Sequence, residues 1–383
     1  MKFHDALAAP GFGAIAEFKR RSPSAGDLRP DGDAAQLARE YEAAAARAMS
    51  VLVDERFGGS WDDLRAARAA TTLPLLAKGF FSTAAHLEDA RDAGADAVLL
   101  LLRDLDDATA DSLLRVARTL GLDTLVEAHD ADELARATQL DAPVIGVNAR
   151  DLSTFSIDRG AQLELVAAAP RDRVVIAESA IATRAQAAAA ELAGANAVLV
   201  GSTLMRAPEP GAKLRELVSR PLVKVCGLTR QEDVDAAVAA GADMVGFILA
   251  AESPRRTDAL LDAPDTVLRV AVFVGEREET HADLVQFYGR ENGHRSRDAV
   301  LLRRDEQVGT VVDLPWGESD PAHLARARAT TGRVMLAGGL GADNVASAVA
   351  EVRPWAVDSA RSTERSPGIK DHDAIRNWVE AAR

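Results

Sequence analysis

The sequence predicts an α/β protein made of two (β/α)8 TIM-type barrels in tandem, the second abridged. Three observations predict it. Short aliphatic runs alternate with Ala-rich segments of helical period, eight times over in the first 220 residues. The runs are near-continuous Val, Leu and Ile, as in parallel strands buried on both faces. The beat then restarts around Ser219-Arg220-Pro221, where LVKVCGL opens a new first strand. The expected domains are therefore residues 1–220 and 221–383, with no long Gly/Ser/Pro linker between them.

In the first half the candidate strands are Ala14–Lys19, Met49–Asp54, Leu75–Phe80, Ala97–Leu102, Asp123–Ala128, Val144–Ala149, Val174–Ser179 and Ala197–Ser202. Between them, AAQLAREYEAAAA, DADELARATQL and RAQAAAAELAGA carry the amphipathic period of crossover helices. Eight such pairs in about 220 residues lie at the small end of the barrel's size range. A fragment recurs as AGADAVLL from Ala93, AGANAVLVG from Ala193 and AGADMVGF from Ala240. Each reads as a glycine closing a helix, a short loop, then a strand. The third copy lies in the second half, so both halves share one architecture. Strands are expected there at Leu222–Leu228, Met244–Leu249, Val270–Gly275, Leu284–Gly289, Val334–Ala337 and Ala356–Asp358, with clear helices after the first and last. Residues 290–312, RENGHRSRDAVLLRRDEQVGTVV, are too few for the two helices and a strand of a full barrel. They read as two short strands joined by a turn at Arg304-Asp305-Glu306-Gln307.

Composition narrows the class. Of 383 residues, 48% are apolar and 27% charged, the balance of a folded soluble protein. Aromatics are only 4%, so the cores should be aliphatic. A formal charge of −14 argues against nucleic acid and anionic membrane as partners, because both attract clustered positive charge. It leaves anionic small molecules open, since a few Lys and Arg reverse the field within a cleft. A single cysteine forms no internal disulfide, no apolar run reaches membrane-helix length, and MKFHDALAAPGF lacks a signal pattern. A cytoplasmic monomer is the expected form. The seven His are scattered without metal-ligand spacing, so neither a metal nor an organic cofactor is expected.

In a barrel of this type the active site sits at the C-terminal ends of the strands. The first strand ends in Glu17 and Lys19, two apart and so on one face. The third ends in Lys78, the fifth in Glu127, the sixth in Asn148, the seventh in Glu178-Ser179 and the eighth in Gly201-Ser202. Any one of these reads equally as a polar residue entering a loop. Together, two lysines and three carboxylates in one ring desolvate one another, shift their pKa values and suit proton transfer on an anionic substrate. Gly201-Ser202 before a helical segment suits a phosphate held by backbone amides.

These residues also carry a resemblance. The runs AEFKRRSPSAG, VDERFGGSWDDL, AKGF, LVEAHD, GVNARDL, AESAI and GSTLMRAPEPG, in this order, resemble indole-3-glycerol-phosphate synthase. VKVCGLTR, GADMVGFILAAESPRR, VQFYG, LAGGLGADNV and SPGIKD resemble phosphoribosylanthranilate isomerase. The pair is similar to the fused bifunctional enzymes of tryptophan biosynthesis, acting on phosphorylated anthranilate–sugar substrates. The synthase likeness implies ring closure of 1-(2-carboxyphenylamino)-1-deoxyribulose 5-phosphate with loss of CO2 and water. It makes Lys78 the general acid at the ketone and Glu127 a proton-transfer group in the dehydration. Lys19 would hold the departing carboxylate, Glu17 and Asn148 would orient lysine and substrate, and Glu178 belongs to the same catalytic set. Ser179, Gly201 and Ser202 would take the phosphate, with Ser22 near the anthranilate end.

The isomerase likeness implies an Amadori rearrangement, with Cys226 as general base and Asp313 as general acid. Arg255 would pair with the anthranilate carboxylate, and Gly338 and Gly339 would bind phosphate through amides. A lone Cys is more often a small buried apolar residue; as a thiolate it needs neighbours that lower its pKa. Departures are visible in both halves. Gly79 and Ala180 stand where the synthase family has Asp and Gly, and few residues precede the first strand. In the second half the loop after Asp313 shrinks to Leu314-Pro315-Trp316-Gly317. Arg361 stands on the last strand's loop where backbone amides usually meet phosphate, placing it as a phosphate ligand or a solvated charge. The rival reading is an active synthase with a catalytically dead, structural or regulatory second module.

Overall fold

The computed structural model describes residues 2–23, 25–150, 157–315 and 317–383. The chain divides into two compact units, Met1–Ala182 with Ala190–Val218, and Ser219–Arg383 with Thr183–Ala189.

The first unit is a closed barrel of eight strands: β1 Gly13–Phe18, β2 Ala48–Leu52, β3 Leu75–Lys78, β4 Ala97–Leu101, β5 Asp123–Ala128, β6 Val144–Asn148, β7 Val174–Glu178 and β8 Ala197–Val200. Each pairs in parallel with its neighbours, and β1 closes on β8. All eight expected strands are present, with each end within two residues of its expected position. Helix α1, Lys2–Ala8, precedes β1 and was not foreseen. Its Phe3 and Leu7 are fully buried with Ile15, Leu76, Leu99, Leu125 and Ile176, and its first amides donate to Asp123 Oδ2 at 3.1 Å. Asp123 opens β5, so α1 covers the N-terminal end of the barrel, opposite the mouth.

The outer helices follow from local rules. They are α2 Ala34–Ala43, α3 Trp61–Ala70, α4 Ala84–Asp92, α5 Asp107–Leu120, α6 Ala131–Gln139, α7 Arg159–Ala168, α8 Arg184–Ala193, α9 Ser202–Arg206 and α10 Pro210–Val218. In α5, Asp106 accepts from the Thr109 amide at 2.8 Å, while Gly121 at φ 73° closes the other end. Ala110, Leu113, Leu114 and Ala117 form its buried stripe.

The second unit also closes, with strands β9 Leu222–Cys226, β10 Met244–Ile248, β11 Leu268–Val274, β12 Leu284–Tyr288, β13 Ala299–Arg303, β14 Glu306–Val312, β15 Val334–Leu336 and β16 Ala356–Ser359. Its helices are α11 Gln231–Ala239, α12 His323–Ala329, α13 Val345–Val352 and α14 His372–Ala381. Strand β13 runs antiparallel to both β12 and β14. Arg304 and Asp305 turn the chain in the left-handed region (φ 48° and 68°), where the two-strand reading placed the turn. A parallel neighbour needs a long crossover, whereas an antiparallel one needs two residues. The hairpin therefore supplies two staves from residues 299–312 and closes a barrel that lacks crossover helices there. Reversal also places the start of β13, rather than its end, at the mouth. The core gathers around Val223, Val225, Phe247, Leu336 and Val357, with Trp378 of α14 fully buried against it.

Candidate active sites

In the first barrel the strand-end residues converge. Lys78 Nζ lies 2.6 Å from Glu178 Oε2, 3.5 Å from Glu17 Oε2 and 3.7 Å from Glu127 Oε2. Lys19 Nζ pairs with Glu17 Oε1 at 2.6 Å. Asn148 Nδ2 donates to Glu127 Oε1 at 3.0 Å, and the Arg150 amide donates to Asn148 Oδ1 at 3.0 Å, which fixes the side-chain amide's orientation. The three carboxylates are at most 3% exposed.

Two glycines create the room. A Cβ on Gly146 would stand 2.1 Å from Glu178 Oε1, and one on Gly201 would stand 2.2 Å from Glu17 Oε1 and 2.9 Å from Lys19 Nζ. Gly201 thus leaves space for the Glu17–Lys19 pair as well as opening α9. Ser22 and Ser179 follow the ends of β1 and β7, and Ser202 is the first residue of α9 after β8; none is among the ion pairs described. Ser179 and Ala180 are both left-handed, at φ 70° and 55°. At Gly79 the missing carboxylate leaves no void: a Cβ there would meet the Phe81 ring at 3.0 Å and Val53 at 3.2 Å. Lys78 has three other carboxylates.

The charges set one another. Burial alone would push the Lys78 ammonium down, but Glu178, Glu17 and Glu127 outweigh it and hold the proton well above the usual lysine range. Burial raises the Glu17 carboxyl, and the attraction of Lys19 and Lys78 more than reverses this. Glu127 is likewise penalised by burial, yet Lys78, His129 and Asn148 bring it down to about 2. Glu178 goes the other way, pushed up to about 8 by burial and by the Glu127 carboxylate, against Lys78. One ring therefore holds a carboxylate that stays ionised at neutral pH and a carboxyl that keeps its proton there.

The sequence reading missed His129. It lies two residues past Glu127, on the same side of the strand line, and Glu133 follows four residues later; the spacing Glu-x-His-x3-Glu was the available signal.

In the second barrel a cavity of about 890 Å³ is lined by Cys226, Arg255, Asp313, Gly338, Gly339 and Arg361, all six residues expected of that half. Asp313 Oδ2 accepts from the Tyr288 hydroxyl at 2.9 Å and Arg295 Nη1 at 3.0 Å, and Oδ1 accepts from the Leu314 amide at 2.8 Å. The Arg295 guanidinium lies 4.0 Å over the Tyr288 ring. It reaches the mouth because β13 is reversed. Arg255 is held in a fork by Glu364 at 2.8–3.0 Å through Nε and Nη2, with Nη1 outside the fork. Gly338 at φ 82° has no room for a side chain, since a Cβ would stand 2.3 Å from the Leu314 amide nitrogen. Trp316, in the shortened loop, lies outside the described residues, as do Ser24 of the AEFKRRSPSAG run and Asp151-Leu152 of the GVNARDL run.

Cys226 ends β9 and is 4% exposed. Burial pushes its thiol up and Asp358 adds to this, while Lys224 and Lys370 pull back without cancelling it. The resting group is a thiol, where the sequence reading looked for neighbours that would lower it; desolvation is the stronger effect. Lys224, fully buried, donates to Gln286 Oε1 at 2.6 Å and Asp358 Oδ2 at 3.1 Å. A Cβ on Gly246 would stand 2.8 Å from both Cys226 Sγ and Lys224 Cε, so the thiol and the lysine stem share one glycine's space. Lys224, Asp358, Tyr288 and Arg295 were not foreseen. Among the described residues, no group of three or more His, Cys, Asp or Glu is arranged to hold a metal, and no helix is long and apolar enough to cross a membrane.

Residues 1–217 match the family model described as indole-3-glycerol phosphate synthase, and residues 298–381 match that of N-(5'phosphoribosyl)anthranilate (PRA) isomerase. An indole-3-glycerol phosphate synthase of Albidiferax ferrireducens is 46% identical over 212 residues, covering 55% of this chain and 80% of the relative. That of Mycobacterium ulcerans is 45% identical over 215 residues, 56% of this chain and 79% of the relative. Among solved structures, TrpF from Jonesia denitrificans is 28% identical, with a TM-score of 0.35 over 43% of this chain and 97% of that one. The chain belongs to the indole-3-glycerol phosphate synthase family, with a phosphoribosylanthranilate isomerase module following the synthase barrel.

Proposed function

We propose that the chain catalyses two successive steps of tryptophan biosynthesis, Amadori isomerisation of N-(5-phosphoribosyl)anthranilate in the second barrel and decarboxylating ring closure of the product in the first. The observation that carries the ring-closure assignment is the Lys78 ammonium ringed by Glu17, Glu127 and Glu178 at the mouth of a closed barrel. Lys78 gives its proton to the ketone oxygen as the ring carbon attacks. Its carboxylate neighbours make it a reluctant acid, so the proton leaves only as alkoxide charge develops. CO2 then departs, and its bonding pair returns to the aromatic ring. The new hydroxyl leaves as water with a second proton from the lysine cluster. Glu127, its carboxyl held low, takes the proton lost from the carbon between the nitrogen and the new bond. One proton is consumed overall. Lys19 holds the carboxylate that is lost, and the rim at Ser179, Gly201 and Ser202 takes the phosphate.

In the second barrel Asp313 protonates the sugar ring oxygen and Cys226 removes the proton from C2. The nearby ammoniums of Lys224 and Lys370 favour the thiolate at that moment. Convergence of Cys226, Asp313, Arg255 and both glycines on one cavity favours an active isomerase over a dead module. Separate assays of each step on the purified full chain test the reading: both turn over if it holds, and a silent isomerase step supports the rival.

A further inference from the structure

The synthase cluster contains a residue to which the proposed chemistry assigns no role. Glu127 is the last residue but one of β5, and His129 directly follows the strand's final Ala128. Helix α6 then begins, with Glu133 in its first turn reaching back. Glu133 Oε2 accepts from both the His129 backbone amide at 2.8 Å and its Nδ1 at 3.0 Å. One carboxylate oxygen thereby clamps the residue at two points and fixes Nδ1 as the protonated nitrogen. The other ring nitrogen, Nε2, is buried and lies 3.1 Å from Glu127 Oε1, at ion-pair distance but off the hydrogen-bond line. Oε1 also accepts from Asn148. Glu127 Oε2, by contrast, is buried with no hydrogen-bond partner and points toward Lys78 at 3.7 Å. The two oxygens are divided: one is held from behind, the other faces Lys78 with no hydrogen bond of its own.

We propose that His129, clamped by Glu133, is a positioning residue that locks Glu127 with Oε2 presented as the proton acceptor of ring closure. This rests on the functional reading above. The charges facing Glu127 are Lys78 from β3, Glu178 from β7 and the His129 ring, itself backed by Glu133 of α6; Glu17 of β1, ion-paired to Lys19, reaches the same Lys78. Burial disfavours a charged imidazole, but Glu127 and Glu133 raise His129 to about 10, so a cation stands behind the acceptor at neutral pH. Its removal takes away one of the positive charges that keep Glu127 ionised.

The test is the pH profile of kcat and KM for ring closure, from pH 9 down to the lowest pH at which each protein stays folded, in the full chain and in His129→Gln and Glu133→Gln. His129→Gln should lower kcat about ten- to a hundredfold near pH 7 with KM within about twofold. Its acid limb should move up by about 1–3 pH units, as expected on losing a nearby opposite charge. Glu133→Gln keeps the ring but loosens the clamp, and should move the limb the same way by less. Should His129→Gln fail to fold, the shift in Glu133→Gln decides. A parent active in ring closure whose acid limb is unmoved in the folded variants, or whose loss falls on KM, overturns the positioning role alone. A parent without ring closure overturns the functional reading with it.

Discussion

Lys78 Nζ and Glu178 Oε2 meet at 2.6 Å although 100 residues separate them, and the contact exists because residue 146 has no side chain. A methyl at Gly146 would occupy the place of Glu178 Oε1. The glycine in GVNARDL is thus as much a part of the cluster as the charged residues above it. Burying a lysine among three carboxylates is tolerable only because each charge has an opposite partner within about 4 Å.

Ala180 is the clearest local misfit. A non-glycine residue in the left-handed region costs roughly 1–2 kcal/mol, and Ser179 beside it is left-handed too. Ala180→Gly should therefore raise stability by about 0.5–1 kcal/mol, after allowing for the freer unfolded chain. Denaturant titration of the two proteins measures it. A lower midpoint for the glycine variant would show that the alanine bears no strain.

Arg361, on the turn that follows β16, lines the same cavity as Gly338 and Gly339. Burial and the like charge of Arg255 disfavour its protonated form, a cost that a bound phosphate relieves. Arg361→Ala should raise the isomerase KM at least about tenfold, as loss of a charged hydrogen bond costs roughly 1.5–3 kcal/mol. Arg361→Lys should restore part of this, because an ammonium lacks the planar fork. Steady-state kinetics decide, and a KM within twofold of the parent in the alanine variant returns the residue to the solvated surface.

His129 also gives stability a pH signature. Its folded pKa of about 10 lies above the ordinary 6.5, so its contribution is fully present below pH 6.5 and is lost as pH rises through 10. The gap in melting temperature between the parent and His129→Gln should therefore be widest at pH 6 and narrow steadily toward pH 10. A gap that does not change with pH would mean the ring is neutral and acts by packing alone. Glu127 has the opposite sign, its stabilisation being lost as pH falls from about 4.5 toward 2.

Strand-end chemistry was legible because it is local. The end of a strand and the parity of its residues decide which side chains enter the mouth, so Glu17, Lys19, Lys78, Glu127, Asn148 and Glu178 could be read in one dimension. What depends on direction could not. Arg295 reaches Asp313 only because β13 runs backwards, and RENGHRSRDAV contains no sign of which end of its strand is the mouth. Closure of the second barrel was hidden for the same reason: the helices were seen to be missing, while a hairpin's ability to supply two staves is a property of the whole sheet. Cys226 was recognisable by position, but its raised pKa comes from burial, which composition alone does not report. Helix α1 escaped because seven residues before the first strand have too little pattern to distinguish a plug from a tail.

The central claim is that this one chain holds two independent active sites. Its most direct test is a crossed assay of Lys78→Ala and Cys226→Ala in the full chain, with both reactions measured on each protein. Lys78→Ala should lose ring closure by at least about 100-fold while isomerisation stays within twofold of the parent. Cys226→Ala should do the reverse. Ring closure that survives in Lys78→Ala, or a matching loss of both activities in either variant, would contradict it.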